Sequence, residues 1–134
     1  MKYLLDTNIC IYLIKKKPPQ VLQQFRSHSV GDIGVSSITV AELQYGVEKS
    51  QYPEQNQRAL EQFLAPLVIM GFDEQAAVAY GKIRAALEAQ GTPIGALDML
   101  IAVHALSLGV TLVTNNIREF SRVLELQLVN WVTG

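Results

Sequence analysis

Residues 3–14 read YLLDTNICIYLI, and this stretch decides the fold. Residues 3–5 are apolar and form a run short enough for a buried strand. The next three residues, Asp6, Thr7 and Asn8, are all types that commonly cap the N-terminus of a helix. Apolar residues with helical spacing follow them. The stretch therefore predicts a strand, a short loop and a helix in succession.

The rest of the chain repeats this alternation of short apolar runs and longer amphipathic segments. Further strands are predicted at residues 33–36, 67–70, 110–113 and 126–132. Helices are predicted from residue 9 to the prolines at 18 and 19, from there to 25, from 37 or 39 onward, from 53 to 65, from 73 to about 90 and from 96 to 108, with a short helical piece at 119–120. Such alternation is typical of an α/β protein. We expect a single domain, residues 1–134, built as a three-layer α/β/α sandwich with a mostly parallel central sheet.

The composition excludes several classes of protein. Hydrophobic residues make up 49% of the 134 and charged residues only 17%, which excludes a disordered chain and leaves apolar surface for an interface. A net charge of -1 excludes a non-specific nucleic-acid coat, so any contact with nucleic acid must be local. A single cysteine fits a reducing compartment, and no apolar run reaches the roughly 18–20 residues of a membrane span. We expect a soluble cytoplasmic protein.

Three of the twelve acidic residues lie inside apolar segments, namely Asp6, Glu42 and Asp98. A carboxylate that is buried alone costs several kcal/mol, so each must be capped, paired or bound to a metal. Each has an ordinary explanation when taken singly. Asp6 and Asp98 could cap helices, and Glu42 could be a solvated position among apolar neighbours.

Taken together, the three carboxylates point to a metal site. Asp6 ends a predicted parallel strand, where open α/β sheets bind their ligands. The sequence offers no three buried cations to neutralise the group, whereas Mg²⁺ or Mn²⁺ prefers such oxygen ligands. A cation of this kind suits phosphodiester chemistry, because it activates water and stabilises charge on phosphate oxygens.

Other chemistries are less well supported. Asp98 and His104 lie on different faces of their predicted helix, so we expect His104 to be a packed core histidine. Cys10 has apolar neighbours and is expected to be an inert core thiol. Arg118 and Arg122 are four residues apart near the expected carboxyl ends of the strands, and we assign them to contacts with substrate phosphate, although ordinary solubility would also explain them.

Four motifs in order resemble those of the PIN domain and, more narrowly, the VapC family of ribonuclease toxins. They are residues 4–8, residues 37–43, residues 93–95 with Asp98, and residues 112–116 with residues 119–120. The resemblance extends over nearly the whole chain. It implies a Mg²⁺-dependent endoribonuclease, with Mn²⁺ as a substitute, that forms a homodimer and is inhibited by a VapB antitoxin occupying the groove of the active site. It also suggests initiator tRNA, cut in the anticodon loop, as the substrate.

The family resemblance also implies roles for single residues. Asp6, Glu42 and Asp98 match the acidic triad, and Thr7 and Thr114 would orient carboxylates or waters. Many PIN domains have a fourth aspartate just after the threonine of the last motif. This sequence has Asn115 and Asn116 there, with the same supporting role expected of them, and the nearest acidic residue is Glu119, a fourth candidate catalytic residue.

Two alternatives remain open at this point. One is another metal-dependent phosphoesterase, although a haloacid-dehalogenase-like enzyme would need a second aspartate where Asn8 stands. The other is a non-catalytic module on the same fold, because a fold does not fix a function.

Overall fold

The centre of the structure is a five-stranded sheet. The computed structural model describes residues 1–133 of the chain. The strands are β1 Tyr3–Leu5, β2 Ile33–Ser36, β3 Val68–Met70, β4 Thr111–Val113 and β5 Leu128–Val129. They lie in the order β3-β2-β1-β4-β5, and every neighbouring pair is parallel. The predicted α/β fold with a mostly parallel sheet is confirmed, and the last strand is much shorter than the predicted residues 126–132.

Seven helices cover the sheet in the part of the chain that the structure describes. They are α1 Thr7–Lys15, α2 Pro19–Arg26, α3 Ser37–Glu48, α4 Pro53–Leu64, α5 Glu74–Ala89, α6 Ala96–Leu108 and α7 Ile117–Phe120. The side chains of Asp6, Ser36 and Asp73 cap α1, α3 and α5, whereas α2 and α4 begin with proline. Helix α6 ends at Gly109, whose φ of 69° is a left-handed conformation that glycine adopts readily.

Cap residues set the starts of two helices, one of which begins earlier than predicted and the other at the first of its two predicted positions. Helix α1 starts at Thr7 rather than residue 9, because Asp6 is its cap. Helix α3 starts at Ser37, directly after β2, because Ser36 is both the last strand residue and the cap. Thus no loop separates β2 from the helix that carries Glu42.

The sheet separates two buried apolar clusters, which confirms the three-layer sandwich. One cluster joins the sheet to α1, α2, α3 and α4, and the other joins it to α5, α6 and α7. Successive strand residues point to opposite faces. Leu5 and Val113 accordingly belong to the first cluster, and Leu4 and Leu112 to the second.

The strand order reverses direction next to β1. From β1 the chain moves outward through β2 and β3, and it then returns to place β4 on the other side of β1. Leu5 is paired with Val113, so the residues that follow them, Asp6 and Thr114, emerge side by side at the carboxyl edge of the sheet. Ligands of open α/β sheets bind at such a switch point.

Within residues 1–133, no helix has both the length and the apolar character needed to cross a membrane.

Candidate active site

Asp6 lies at the carboxyl end of β1 with 3% of its surface exposed. Its Oδ1 accepts a hydrogen bond from the amide of Ile9 at 2.9 Å, so Asp6 does cap α1. The pKa of Asp6 is raised to about 6, chiefly by burial. Hydrogen bonds from Thr114 and Ile9 lower this pKa, while the charges of Asp98 and Glu42 raise it. The cap therefore occupies one oxygen of a carboxylate that also belongs to an acidic group.

Glu42 projects from α3 toward α1. Its Oε1 accepts a hydrogen bond from the hydroxyl of Thr7 at 2.7 Å, and that hydroxyl lies 3.3 Å from the hydroxyl of Thr39. Glu42 is half-buried, so it is not a freely solvated position. The contact is consistent with the orienting role predicted for Thr7.

Asp98 lies in the first turn of α6 and is half-buried. The cap of this helix is Gly95, and no side chain makes a capping hydrogen bond there, so the alternative that Asp98 is the cap is wrong. The pKa of Asp98 is raised by burial first and then by the charges of Glu119 and Glu42. Asp98 thus belongs electrostatically to the same acidic edge as Asp6.

The motif after β4 brings Glu119 to the start of α6. Glu119 Oε1 accepts a hydrogen bond from the amide of Gly95 at 3.2 Å, and its Oε2 accepts one from Asn116 Nδ2 at 2.9 Å. The hydroxyl of Thr114 accepts a hydrogen bond from the Asn116 amide at 3.0 Å. Asn115 lies elsewhere, with its Nδ2 donating to the hydroxyl of Tyr12 at 2.8 Å. Glu119 therefore contacts the cap of α6, the helix that carries Asp98, and its catalytic role stays a prediction.

Within residues 1–133, no lysine or arginine forms a salt bridge with the acidic edge. Across residues 1–133 the ion pairs are Lys2 with Asp32 and Arg84 with Glu88, and neither pair includes any of the four acidic candidates. Arg118 is exposed, and Arg122 Nη1 donates to the carbonyl of Pro93 at 2.7 Å. The assignment of both arginines to RNA phosphate stays a prediction, and Arg122 has a partner within the protein.

The carboxylate oxygens of the acidic edge are of the type that binds a hard divalent cation. In this conformation, however, they are not arranged around one point as a complete set of metal ligands. Asp6, Glu42 and Asp98 supply carboxylate oxygens of the kind that Mg²⁺ and Mn²⁺ prefer. Over the described residues, however, no three Asp, Glu, His or Cys side chains converge closely enough to hold a metal ion. Two of the carboxylates already accept hydrogen bonds, Asp6 from Ile9 and Glu42 from Thr7.

Two residues near the site were not found from the sequence. Tyr12 meets Asn115 across 103 positions of the chain, and nothing local signals such a contact. Ser36 caps α3 and also pairs with His104 Nδ1 at 2.8 Å. Serine at the end of a predicted strand is a residue type that often caps helices, so the sequence could have indicated that Ser36 caps α3. It gives no signal of the contact with His104.

The other titratable groups behave as the sequence indicates. His104 is buried in the core against the edge of Phe72, and burial lowers its pKa. Cys10 is buried, and burial raises the pKa of its thiol well above the usual range, which favours the protonated form. Both residues lie in the core, as predicted, and the inertness of the thiol stays a prediction.

Comparison with known proteins defines the class. The family model described as the PIN domain matches residues 3–126. Ribonuclease VapC2 of Haemophilus influenzae is 51% identical over 132 residues, covering 98% of this chain and 99% of that protein. The tRNA(fMet)-specific endonuclease VapC of Shigella flexneri is 47% identical, with 98% of each chain covered. The crystal structure of VapBC2 from Rickettsia felis bound to a DNA fragment from their promoter superposes with a TM-score of 0.91 at 47% identity, covering 98% of this chain and 99% of that one.

The fold is thus that of a PIN domain. The chain belongs to the PIN domain family and, within it, to the VapC ribonucleases.

Proposed function

We propose that this protein is the toxin of a type II toxin–antitoxin pair, an endoribonuclease that requires Mg²⁺ or Mn²⁺. The observation that carries the proposal is the group formed by Asp6, Glu42 and Asp98. The charges of Asp98 and Glu42 raise the pKa of the buried Asp6, and no salt bridge within residues 1–133 compensates any of the three. A fold gains nothing from such repulsion, whereas a divalent cation would neutralise it.

Asp6, Glu42 and Asp98 would hold the metal. When bound, the ion supplies a water of lowered pKa and stabilises negative charge on the phosphate. Thr7 keeps the Glu42 carboxylate on the side of α1, through its hydrogen bond of 2.7 Å. The amide of Ile9 holds one oxygen of Asp6, and a hydrogen bond with Thr114 also favours the charged form of this carboxylate. Glu119, held by Gly95 and Asn116, adds a fourth negative charge beside Asp98.

The proposed substrate is initiator tRNA. The relative from Shigella flexneri, 47% identical along nearly the whole chain, is named a tRNA(fMet)-specific endonuclease. Arg118 is exposed on α7, next in sequence to Glu119, and is the better placed of the two arginines to contact the RNA backbone. The net charge of -1 requires that such contacts be local.

The proposed partner is a VapB antitoxin. The similar structures from Rickettsia felis and Salmonella typhimurium are VapBC assemblies. Beside Glu42 this chain has a groove of about 280 Å³, lined mainly by apolar residues of α1, α3 and α4: Ile11, Ile14, Leu43, Val47 and Leu60. An antitoxin segment with apolar side chains and an arginine would fit the groove and the adjacent carboxylates, because arginine pairs with carboxylates through two parallel hydrogen bonds.

We also expect a cytoplasmic homodimer, since the apolar fraction of the chain is high for its size. Light scattering should then give a mass of twice 14.8 kDa. A monomer at high concentration would contradict this part of the proposal.

One experiment tests the activity directly. Purified protein is incubated with total RNA and with initiator tRNA in Mg²⁺, and the new 5′ and 3′ ends are mapped. Asp6→Asn serves as the control, because asparagine retains the helix cap and removes the charge. We expect defined cuts that vanish in excess EDTA and in the variant. Undiminished cutting in chelator would refute the metal requirement, and no cutting of any RNA would refute the enzyme.

A further inference from the structure

The short loop of residues 92–95 sets the position of Asp98. It joins α5 to α6, and Asp98 follows it in the first turn of α6. Within the described chain, neither Pro93 nor Ile94 makes a backbone–backbone hydrogen bond. The side chain of Ile94 packs against the second apolar cluster, but the backbone of the loop depends on side chains from elsewhere.

Two side chains from the region of α7 hold this loop. Glu119 Oε1 accepts from the amide of Gly95 at 3.2 Å, and Arg122 Nη1 donates to the carbonyl of Pro93 at 2.7 Å. The two contacts therefore hold the amide of Gly95 and the carbonyl of Pro93, a backbone donor and a backbone acceptor two residues apart. The amide of Arg122 also donates to the carbonyl of Glu119 at 3.2 Å, so both side chains extend from one turn.

The turn that carries these side chains is itself firmly anchored. Phe120 and Val123 flank the pair in sequence and are 1% and 3% exposed in the second apolar cluster. A side chain that extends from a buried turn can impose its position on a loop whose central residues have no backbone hydrogen bonds of their own.

We propose that Arg122 is a positioning residue: together with Glu119 it fixes the loop of residues 92–95, and hence the carboxylate of Asp98, rather than contacting RNA phosphate. This inference rests on the proposed function for its catalytic consequence. A displacement of about 1 Å at a reacting group can cost on the order of 100-fold in rate. Loosening the loop should therefore lower turnover, whereas removing a phosphate contact should weaken binding.

The two roles have opposite kinetic signatures. Substitution of an arginine that contacts phosphate raises KM. It also makes the slope of the logarithm of the RNA-binding constant against the logarithm of the salt concentration less steep by about 1. Substitution of an arginine that positions the loop lowers kcat and leaves KM and the salt dependence unchanged. Arg118 is the natural comparison, because it lies on α7, four residues before Arg122, is exposed and is proposed to contact phosphate.

The first measurement needs neither metal nor RNA. Amide hydrogen exchange is followed in metal-free wild type, Arg122→Ala and Arg118→Ala. If Arg122 fixes the loop, exchange of the Gly95 amide, which donates to Glu119, should be about tenfold faster in Arg122→Ala, as expected for the loss of about 1.4 kcal/mol of local protection. It should be unchanged in Arg118→Ala. Equal exchange in wild type and Arg122→Ala would overturn the inference.

The second measurement is steady-state cleavage of tRNA in Mg²⁺ at several salt concentrations. We expect Arg122→Ala to lower kcat about tenfold with KM within about twofold of wild type, and Arg118→Ala to raise KM and reduce the salt dependence. A rise in KM with unchanged kcat in Arg122→Ala, or faster loop exchange without any loss of kcat, would overturn the positioning role. Failure of the wild type to cleave would instead refute the proposed function, and the exchange measurement would still decide whether Arg122 holds the loop.

Discussion

The two oxygens of Asp6 serve different purposes. Oδ1 completes the N-terminus of α1 by accepting from the amide of Ile9, and the rest of the carboxylate contributes negative charge to an edge that already contains Asp98 and Glu42. Asparagine caps helices about as well as aspartate but carries no charge. A single substitution can therefore separate the structural role of this residue from its electrostatic role.

Asp6→Asn should stabilise the metal-free protein at neutral pH. The pKa of Asp6 is raised from 3.8 to about 6 in the folded state, so its contribution to stability is present below about pH 4 and is lost as the pH rises through 6. That loss amounts to about 3 kcal/mol at most. In EDTA, the free energy of unfolding of the variant should exceed that of wild type by about 1–3 kcal/mol at pH 7.5, and the difference should shrink toward pH 4. Urea denaturation at a series of pH values measures the free energy of unfolding of the variant and of wild type. A difference between the two proteins that is independent of pH would contradict the prediction.

Asp98→Asn tests the metal role of a residue that the structure does not use as a cap. Since Asp98 experiences the charges of Glu119 and Glu42, its neutralisation should raise the Tm of the metal-free protein by a few degrees, for a gain of about 1 kcal/mol. The rise in Tm that Mg²⁺ produces should become smaller, because it reports binding to the native state. RNA cleavage should fall by about 100-fold or more. A variant that cleaves RNA and keeps the full Mg²⁺ shift would exclude Asp98 as a ligand.

At the scale of the elements, α3 and α6 are tied together by one buried pair. Ser36 Oγ accepts from the amide of Ile38 to cap α3, and it lies 2.8 Å from Nδ1 of His104 on α6. His104 Nε2 has no hydrogen-bond partner among the described residues. The serine is thus the only polar side-chain contact seen for this buried ring within residues 1–133.

Ser36→Ala should be unusually costly for a cap substitution. It removes a cap, worth about 1 kcal/mol, and it leaves His104 Nδ1 buried without a partner, at a further cost of about 1–2 kcal/mol. Asp73→Ala is the comparison, because Asp73 caps α5 from an exposed position and makes no hydrogen bond to His104, although its charge raises the pKa of that ring. We expect free energies of unfolding lower by about 2–3 kcal/mol for Ser36→Ala and by about 1 kcal/mol for Asp73→Ala. Equal losses in urea denaturation would mean that the pair with His104 contributes nothing.

The boundaries of the elements were predictable where the signal was local. The prolines that begin α2 and α4, the Asp73 cap and the stop at Gly109 act through the backbone of their own segment. The cap of α6 was not predictable, because the sequence offers Asp98 as a good cap type, whereas the observed cap is Gly95, held by Glu119 from 24 residues away. The hydrogen bond from Arg122 to the carbonyl of Pro93 was not predictable either, because the two residues are 29 positions apart in the sequence.

At the scale of the whole molecule, the parallel sheet is what made much of the site predictable. Parallel strands end at one edge, so Asp6 after β1 and Thr114 after β4 had to be neighbours once the two strands were adjacent. Which strands are adjacent is decided by packing on both faces rather than by any single strand. The contact of Tyr12 with Asn115 followed only from the completed fold.

The apolar groove beside Glu42 provides a test of antitoxin binding that spares the acidic edge. Ala59 lies on the α4 wall of the groove, and Ala59→Leu adds volume there without changing charge. We expect the affinity for a VapB antitoxin to fall about tenfold or more, because overfilling a packed contact costs about 1–3 kcal/mol. Titration calorimetry measures the affinity. Ala85→Leu, at an exposed position of α5 outside the groove, is the control, and equal affinities in the two variants would locate the antitoxin elsewhere.

The double use of Asp6 also bears on how such a protein would be silenced by mutation. Aspartate and asparagine codons differ by one base, so the change at position 6 is a single genetic step. It keeps the cap of α1, because asparagine can accept the hydrogen bond that Oδ1 of Asp6 accepts from Ile9. In lineages selected for loss of a harmful activity, we therefore expect asparagine at this position. The chain would remain folded, so it would still bind its partner. It would also resist the proteolysis that removes unfolded proteins.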